Sequence, residues 1–159
     1  MENQFLDSNF DNETPEYFAY AGFWRRFAAV FIDGLILAIV SMIVYSVFGV
    51  SLFRPNPEMF ENGIPVSYSI AYLINVGIQI SYFAYLESSE KQGTFGKQAM
   101  GIVVTGLNGE RITMLKAVGR YFARILSALI MGIGYLIQPF TAKKQALHDM
   151  IAGTLVYKK

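Results

Sequence analysis

A carboxylate interrupts the most apolar stretch of this chain, and few folds tolerate one there. Asp33 follows Phe27-Ala28-Ala29-Val30-Phe31-Ile32 and precedes a run that stays apolar to about Val50. About 20 apolar residues cross a hydrocarbon core of roughly 30 Å, and Trp24 to Phe48 supplies them. An ionised carboxylate facing lipid there would cost about 2.5–3.5 kcal/mol or more. Asp33 is therefore expected to face a bundle interior or a water-filled cavity, with a partner. Arg26 shares its helical face, but seven residues put it about 10.5 Å away along the axis, too far for a direct bond.

Composition agrees with a membrane setting. The chain has 159 residues, enough for one domain. It is 53% hydrophobic and only 16% charged, where soluble domains carry about 25% charged residues. A net charge of +1 offers no global field to nucleic acid, so no such partner is expected. There is no cysteine and a single histidine, so no thiolate or conventional zinc site, and no cofactor is indicated. Nothing resembles a serine nucleophile elbow or a hydrolytic carboxylate pair. The expectation is a protein that is not an enzyme. Glu2, Asp7, Asp11, Glu13 and Glu16 precede any basic residue. Residues 1–19 are read as an acidic disordered tail, followed by a membrane domain over 20–157, with the first span retained rather than cleaved.

The second span is read from Ser67 to about Leu86, without charge, carrying Asn75 and Gln79 on one face. The third apolar region runs from Tyr121 to Phe140. Between them, Asn108-Gly109 separates Gly101–Thr105 from Arg111–Thr113, which predicts a β-hairpin. A short amphipathic helix is expected just before it, from Phe95 to Met100. The fold class is thus an all-α membrane protein. It is a small transmembrane bundle of two clear spans, a third spanning or re-entrant helical region, and a short cytoplasmic β-hairpin. Lys91, Lys97, Arg111 and Lys116 place the 87–116 loop and the N-terminus in the cytoplasm, by the positive-inside rule, in a multi-pass cell-membrane protein. A third crossing would put Lys143, Lys144, Lys158 and Lys159 outside, against that rule. Those lysines favour a turn back at Gly132–Gly134, tolerated where the turn is buried in protein or lines a cavity.

Three separated motifs, in order, carry a family resemblance. They are Ala21-Gly22-Phe23-Trp24-Arg25-Arg26 continuing to Asp33, then Gly93-Thr94-Phe95-Gly96-Lys97 with Gly101-Ile102-Val103-Val104, then Gln145-Ala146-Leu147-His148-Asp149 continuing to Thr154. Together they resemble the RDD family of small integral membrane proteins. The resemblance implies that Arg26, Asp33 and Asp149 are the arginine and two aspartates for which the family is named. It also implies a suggested role in transport, with sodium–proton antiport proposed for some members.

Two functions follow as expectations. In the first, the chain is a small cation or proton transporter, or a component of one. Asp33 is the carboxylate for Na+, K+ or H+, Arg26 tunes it, and Asp149 reaches Arg26 and closes a charge network. Burial raises a carboxylate's pKa and a nearby arginine lowers it, so a balance near neutrality would allow exchange. So few spans cannot enclose a path alone, so this reading requires a homo-oligomer in the lipid bilayer. In the second, the chain is a non-transporting scaffold or interaction protein whose charges fix helix packing. Asn75 and Gln79 then act as interhelical glue and His148 as an interfacial histidine, whereas in the first reading Asn75 and Gln79 join the ion path of Asp33 and His148 senses pH beside Asp149. The glycines of residues 93–97 are read as tight turning at the membrane surface rather than a phosphate loop. The basic residues of the same loop would attract anionic headgroups.

Overall fold

The computed structural model describes residues 19–50, 63–129 and 137–159. Helix α1 spans Phe23–Val47 and α2 spans Val66–Ser88. Both are long and apolar enough to cross a membrane, bury few of their side chains and leave many large apolar ones exposed. Phe27, Phe31, Leu35, Ile39 and Ile43 run along the outside of α1. The buried positions of α1 are instead Ala29, Asp33 and Tyr45. This inverted pattern suits helices solvated by lipid, since hydrocarbon outside removes the reason to hide leucine.

The two predicted spans therefore stand within about two residues of their expected limits. A five-residue helix, α3, covers Phe95–Ala99, as expected. Strand β1 (Ile102–Gly106) follows, then α4 (Met114–Leu129), a 3-10 turn at Gln138–Phe140, α5 (Leu147–Ile151) and β2 (Thr154–Lys158).

The strand pairing differs from the expected hairpin. The turn itself forms: the Gly106 N–H donates to the Glu110 carbonyl at 2.8 Å, and Gly109 adopts φ +84°. Arg111–Thr113 then leaves the sheet. Ile112 turns into the core, and the Thr113 hydroxyl accepts from the Lys116 N–H at 3.3 Å as α4 begins. β1 pairs antiparallel with β2, with Val104 opposite Val156. β2 offers Leu155 and Val156 to bury, which the polar 111–113 segment cannot match. Residues 19–21 add to the far edge of β2. Tyr20 bridges Tyr157, and the Ala21 N–H donates to the Val156 carbonyl at 2.8 Å.

The third region also differs. α4 starts seven residues before Tyr121 and carries Arg120 and Arg124 inside it. Ala117, Arg120, Tyr121, Ala123 and Ser127 are buried, while Leu115, Phe122, Ile125, Leu126 and Leu129 are exposed. Both flanks of the region lie at the end of the bundle where α1 begins. The Ser88 hydroxyl lies 3.5 Å from the Met114 sulfur, and the Gln138 side-chain amide donates to the Ala21 carbonyl at 3.1 Å. The acidic tail and the Gly132–Gly134 turn fall outside the described residues.

Candidate functional site

Asp33 is 1% exposed and has three donors. The Tyr82 hydroxyl donates to Oδ1 at 2.7 Å and the Gly96 N–H donates to Oδ1 at 2.8 Å. The Thr94 hydroxyl donates to Oδ2 at 2.6 Å. One carboxylate of α1 thus fastens both α2 and α3. Its helix supplies the room: Gly96 packs so closely that an added Cβ would sit 2.1 Å from the Ala29 carbonyl oxygen. Thr94 also caps α3, its oxygen accepting from the Lys97 N–H at 3.4 Å. The Gly-Thr-Phe-Gly-Lys motif therefore reads as cap, close approach and ion pair in sequence.

Lys97 does not face a lipid surface as expected of the loop's basic residues. It is 6% exposed, and its Nζ donates to Glu87 Oε1 at 2.5 Å. Glu87 is the centre of a buried charge cluster. Arg120 donates to its Oε2 at 3.0 Å, and Arg124 donates to its Oε1 at 2.9 Å while stacking over Phe83 at 4.2 Å. The second guanidinium nitrogen of Arg120 donates to Asp149 Oδ1. Arg26 donates to Asp149 Oδ2 and, at 2.7 Å, to the Lys144 carbonyl. The Ala146 N–H completes the Asp149 carboxylate at 3.2 Å.

Arg26 and Asp149 thus meet, 123 residues apart in the chain. Asp33 stands apart from them, satisfied by hydroxyls and an amide rather than by Arg26. Arg120 bridges the two halves, so Lys97, Glu87, Arg120, Asp149 and Arg26 form one chain of ion pairs through five helices, α1 to α5. Buried pairs of this kind hold a geometry more than they add net stability.

The charge states follow from the surroundings. Burial would raise the Asp149 carboxyl, but Arg120 and then Arg26 outweigh it and hold it well below the usual carboxylate range. Burial pushes the Lys97 amine down to about 7, against the pull of Glu87. Burial likewise drives His148 down to about 3, despite Asp149 beside it, so the imidazole is neutral near pH 7. His148 Nε2 lies 3.4 Å from Asp149 Oδ1.

Asn75 and Gln79 form a separate polar seam. Asn75 Oδ1 accepts from the Ser41 hydroxyl and from Gln79 Nε2, each at 3.1 Å. The first bond ties α2 to α1; the Tyr121 hydroxyl lies 3.5 Å from Gln79, at the limit of a hydrogen bond. Among the described residues no hydrogen bond links this seam to Asp33.

Sequence reading overlooked Glu87, Arg120, Arg124, Tyr82 and Thr94 as site members. Glu87 sat at the edge of a polar loop, and the arginines looked like span markers. One signal was available. On α4, Arg120 and Arg124 lie among Ala117, Ala123 and Ser127, and the large apolar residues occupy the opposite face. Small residues let helices approach closely, and that face of α4 is the one packed inward, with Arg120 buried and Arg124 partly so. Among the described residues no group of three His, Cys, Asp or Glu could hold a metal ion.

Comparison with known proteins agrees with this geometry. The profile described as "RDD family" matches residues 20–153. The uncharacterized protein YxaI of Bacillus subtilis (strain 168) is 42% identical over 148 residues, covering 87% of this chain and 97% of the relative. From the same organism, the uncharacterized membrane protein YteJ is 32% identical over 145 residues (87% of this chain, 80% of YteJ). A third relative there, the uncharacterized protein YckC, is 26% identical over 141 residues (86% and 83%). No solved structure matches the chain. With the profile spanning nearly all of the domain that the ion pairs tie together, the chain belongs to the RDD family.

Proposed function

We propose that this is a multi-pass, non-enzymatic scaffold or interaction protein of the cell membrane, with α1 entering the bilayer from the cytoplasm. Its ionic core is a lock. The observation that carries this reading is that, among the described residues, the three buried carboxylates are saturated by donors of the same chain. Asp33 has three, Glu87 has three cations, and Asp149 has two arginines and an amide. A cation could bind only by displacing them. The expectation of Asp33 as a transport carboxylate therefore gives way here to the packing alternative.

A re-entrant third region fits the same picture. Met114 and Gln138 flank it at one end of the bundle, which supports a region that enters and returns. Lys143, Lys144, Lys158 and Lys159 then share the cytoplasmic side with the first loop.

Transport remains a second reading on one observation. The Lys97 amine, buried against Glu87 and pushed down to about 7, could exchange a proton near neutral pH. Coupling to Na+ or K+ would then need a homo-oligomer to line a path. Cation-driven proton flux in proteoliposomes separates the two. Under the lock reading the wild type carries no flux, and Asp33→Asn lowers stability. Flux in the wild type that disappears in a folded Asp33→Asn or Lys97→Met variant would overturn it.

A further inference from the structure

The fold gathers cations from three distant parts of the chain at the end of the bundle where α1 begins. A cavity of about 250 Å³ is lined there by Lys91, Gln98, Gly101, Ile102, Val103 and Lys159. The pairing of Ile102 with Lys158 brings Lys159 alongside, and its N–H donates to the Gly101 carbonyl at 2.9 Å. Gln98 is held in place by a 2.7 Å bond from its amide to the Gly93 carbonyl. Arg25 reaches the adjoining backbone, with Nη1 3.4 Å from the Met100 carbonyl. No Asp or Glu lines the cavity. Arg26, Lys97, Arg120 and Arg124 all have carboxylate partners, but among the described residues Arg25, Lys91 and Lys159 have none. Among the described residues no carboxylate neutralises their positive charge.

Depth identifies the source of an anion for that charge. Trp24, next to Arg25, is 77% exposed and stands in an aromatic group with Phe23 and Phe27, at ring distances of 5.5 and 6.2 Å. Exposed aromatic groups of this kind sit at the headgroup level of a bilayer. Arg25 reaches the Met100 carbonyl, one residue from the lining Gly101, which sets the cavity near that level. A free phosphate would offer the same chemistry, but the aromatic marker points to a phosphate fixed in the membrane. We propose that this cavity binds the phosphate-bearing headgroup of an anionic phospholipid. The inference rests on the chain being embedded in a bilayer through α1.

Trp24 is the only tryptophan and so reports on its own neighbours. The full chain is reconstituted in phosphatidylcholine vesicles containing a graded fraction of either phosphatidylglycerol or phosphatidylcholine brominated near the top of the acyl chains. Lys and Arg near a membrane surface are each worth roughly a fivefold preference for anionic lipid. Trp24 quenching should therefore half-saturate at an about fivefold lower fraction of the brominated phosphatidylglycerol, or lower still. The preference should fall to near parity in the Lys91→Gln/Lys159→Gln variant and survive in Arg111→Gln/Lys116→Gln, which removes the same charge elsewhere. A preference unchanged in the first variant, or lost equally in the second, overturns the proposal. Loss of the preference on adding millimolar inorganic phosphate would also overturn it, assigning the cavity to a soluble anion. Absence of quenching by both brominated lipids would instead overturn the membrane placement of α1, and the proposal with it.

Discussion

Replacing Glu87 by glutamine keeps the shape of the side chain and removes its charge, and the structure says where the loss falls. Glu87 is 1% exposed and serves three cations. Arg120 keeps Asp149 as a partner. Arg124 keeps the face of Phe83 and reaches the surface, with 14% of its side chain exposed. Lys97 alone loses its ion-pair partner while remaining buried. Breaking a buried pair from one side costs about 3–5 kcal/mol. With only one of three cations stranded, we expect the lower figure, about 3 kcal/mol, at pH 5, where Lys97 is charged, and much less at pH 7 and above, where the amine releases its proton instead. Unfolding followed by circular dichroism during SDS titration of mixed micelles measures it. Adding Lys97→Met removes the stranded amine and should return at least about 1 kcal/mol, within the usual range for residues in contact. A Glu87→Gln protein within about 0.5 kcal/mol of wild type at pH 5, the range of an uneventful surface change, would refute the view that this charge holds the core.

Gly96→Ala places a Cβ against the Ala29 carbonyl and the Asp33 carboxylate. It should cost about 1–3 kcal/mol or more by overpacking, read in the same titration. Tyr82→Phe deletes one of the three donors to Asp33 and should cost about 1.5–3 kcal/mol, the scale of a hydrogen bond to a charged group. Lys97 sets a pH dependence. Its amine titrates at about 7 when folded and at 10.5 ordinarily. Between those values the unfolded chain holds a proton that the folded chain releases, so stability gains from this group as pH rises through the window. Below pH 7 both states are protonated and the burial penalty stands in full. Comparison of wild type with Lys97→Met from pH 6 to pH 10 should show the difference, and parallel curves would count against a buried amine.

The helices α1 and α2 were legible because hydrocarbon imposes length and polarity on any crossing segment. Arg26 and Asp149 were legible as partners only through motif resemblance, since nothing local joins residues 123 apart. Glu87 and Arg120 were missed for the same physical reason. Each belongs to a pattern that is ordinary by itself, and only packing of α2 on α4 makes them a pair. The hairpin misreading has a different origin. Asn108-Gly109 does specify a tight turn, but a turn does not oblige the chain to continue pairing. β2 competes for β1 with more apolar surface to bury, and wins.

The pairing of residues 19–21 with β2 bears on how the protein is made. α1 and α2 are both made before the residues that tie them into the rest of the fold. Tyr20 waits for Tyr157, and Arg26 waits for Asp149. Contacts so far apart in sequence form slowly. The sheet therefore closes only after β2 has been made, and until Asp149 emerges the growing chain carries Arg26 without its carboxylate and Arg120 with only Glu87. Synthesis of β2 is the event that fastens the start of α1 to the sheet.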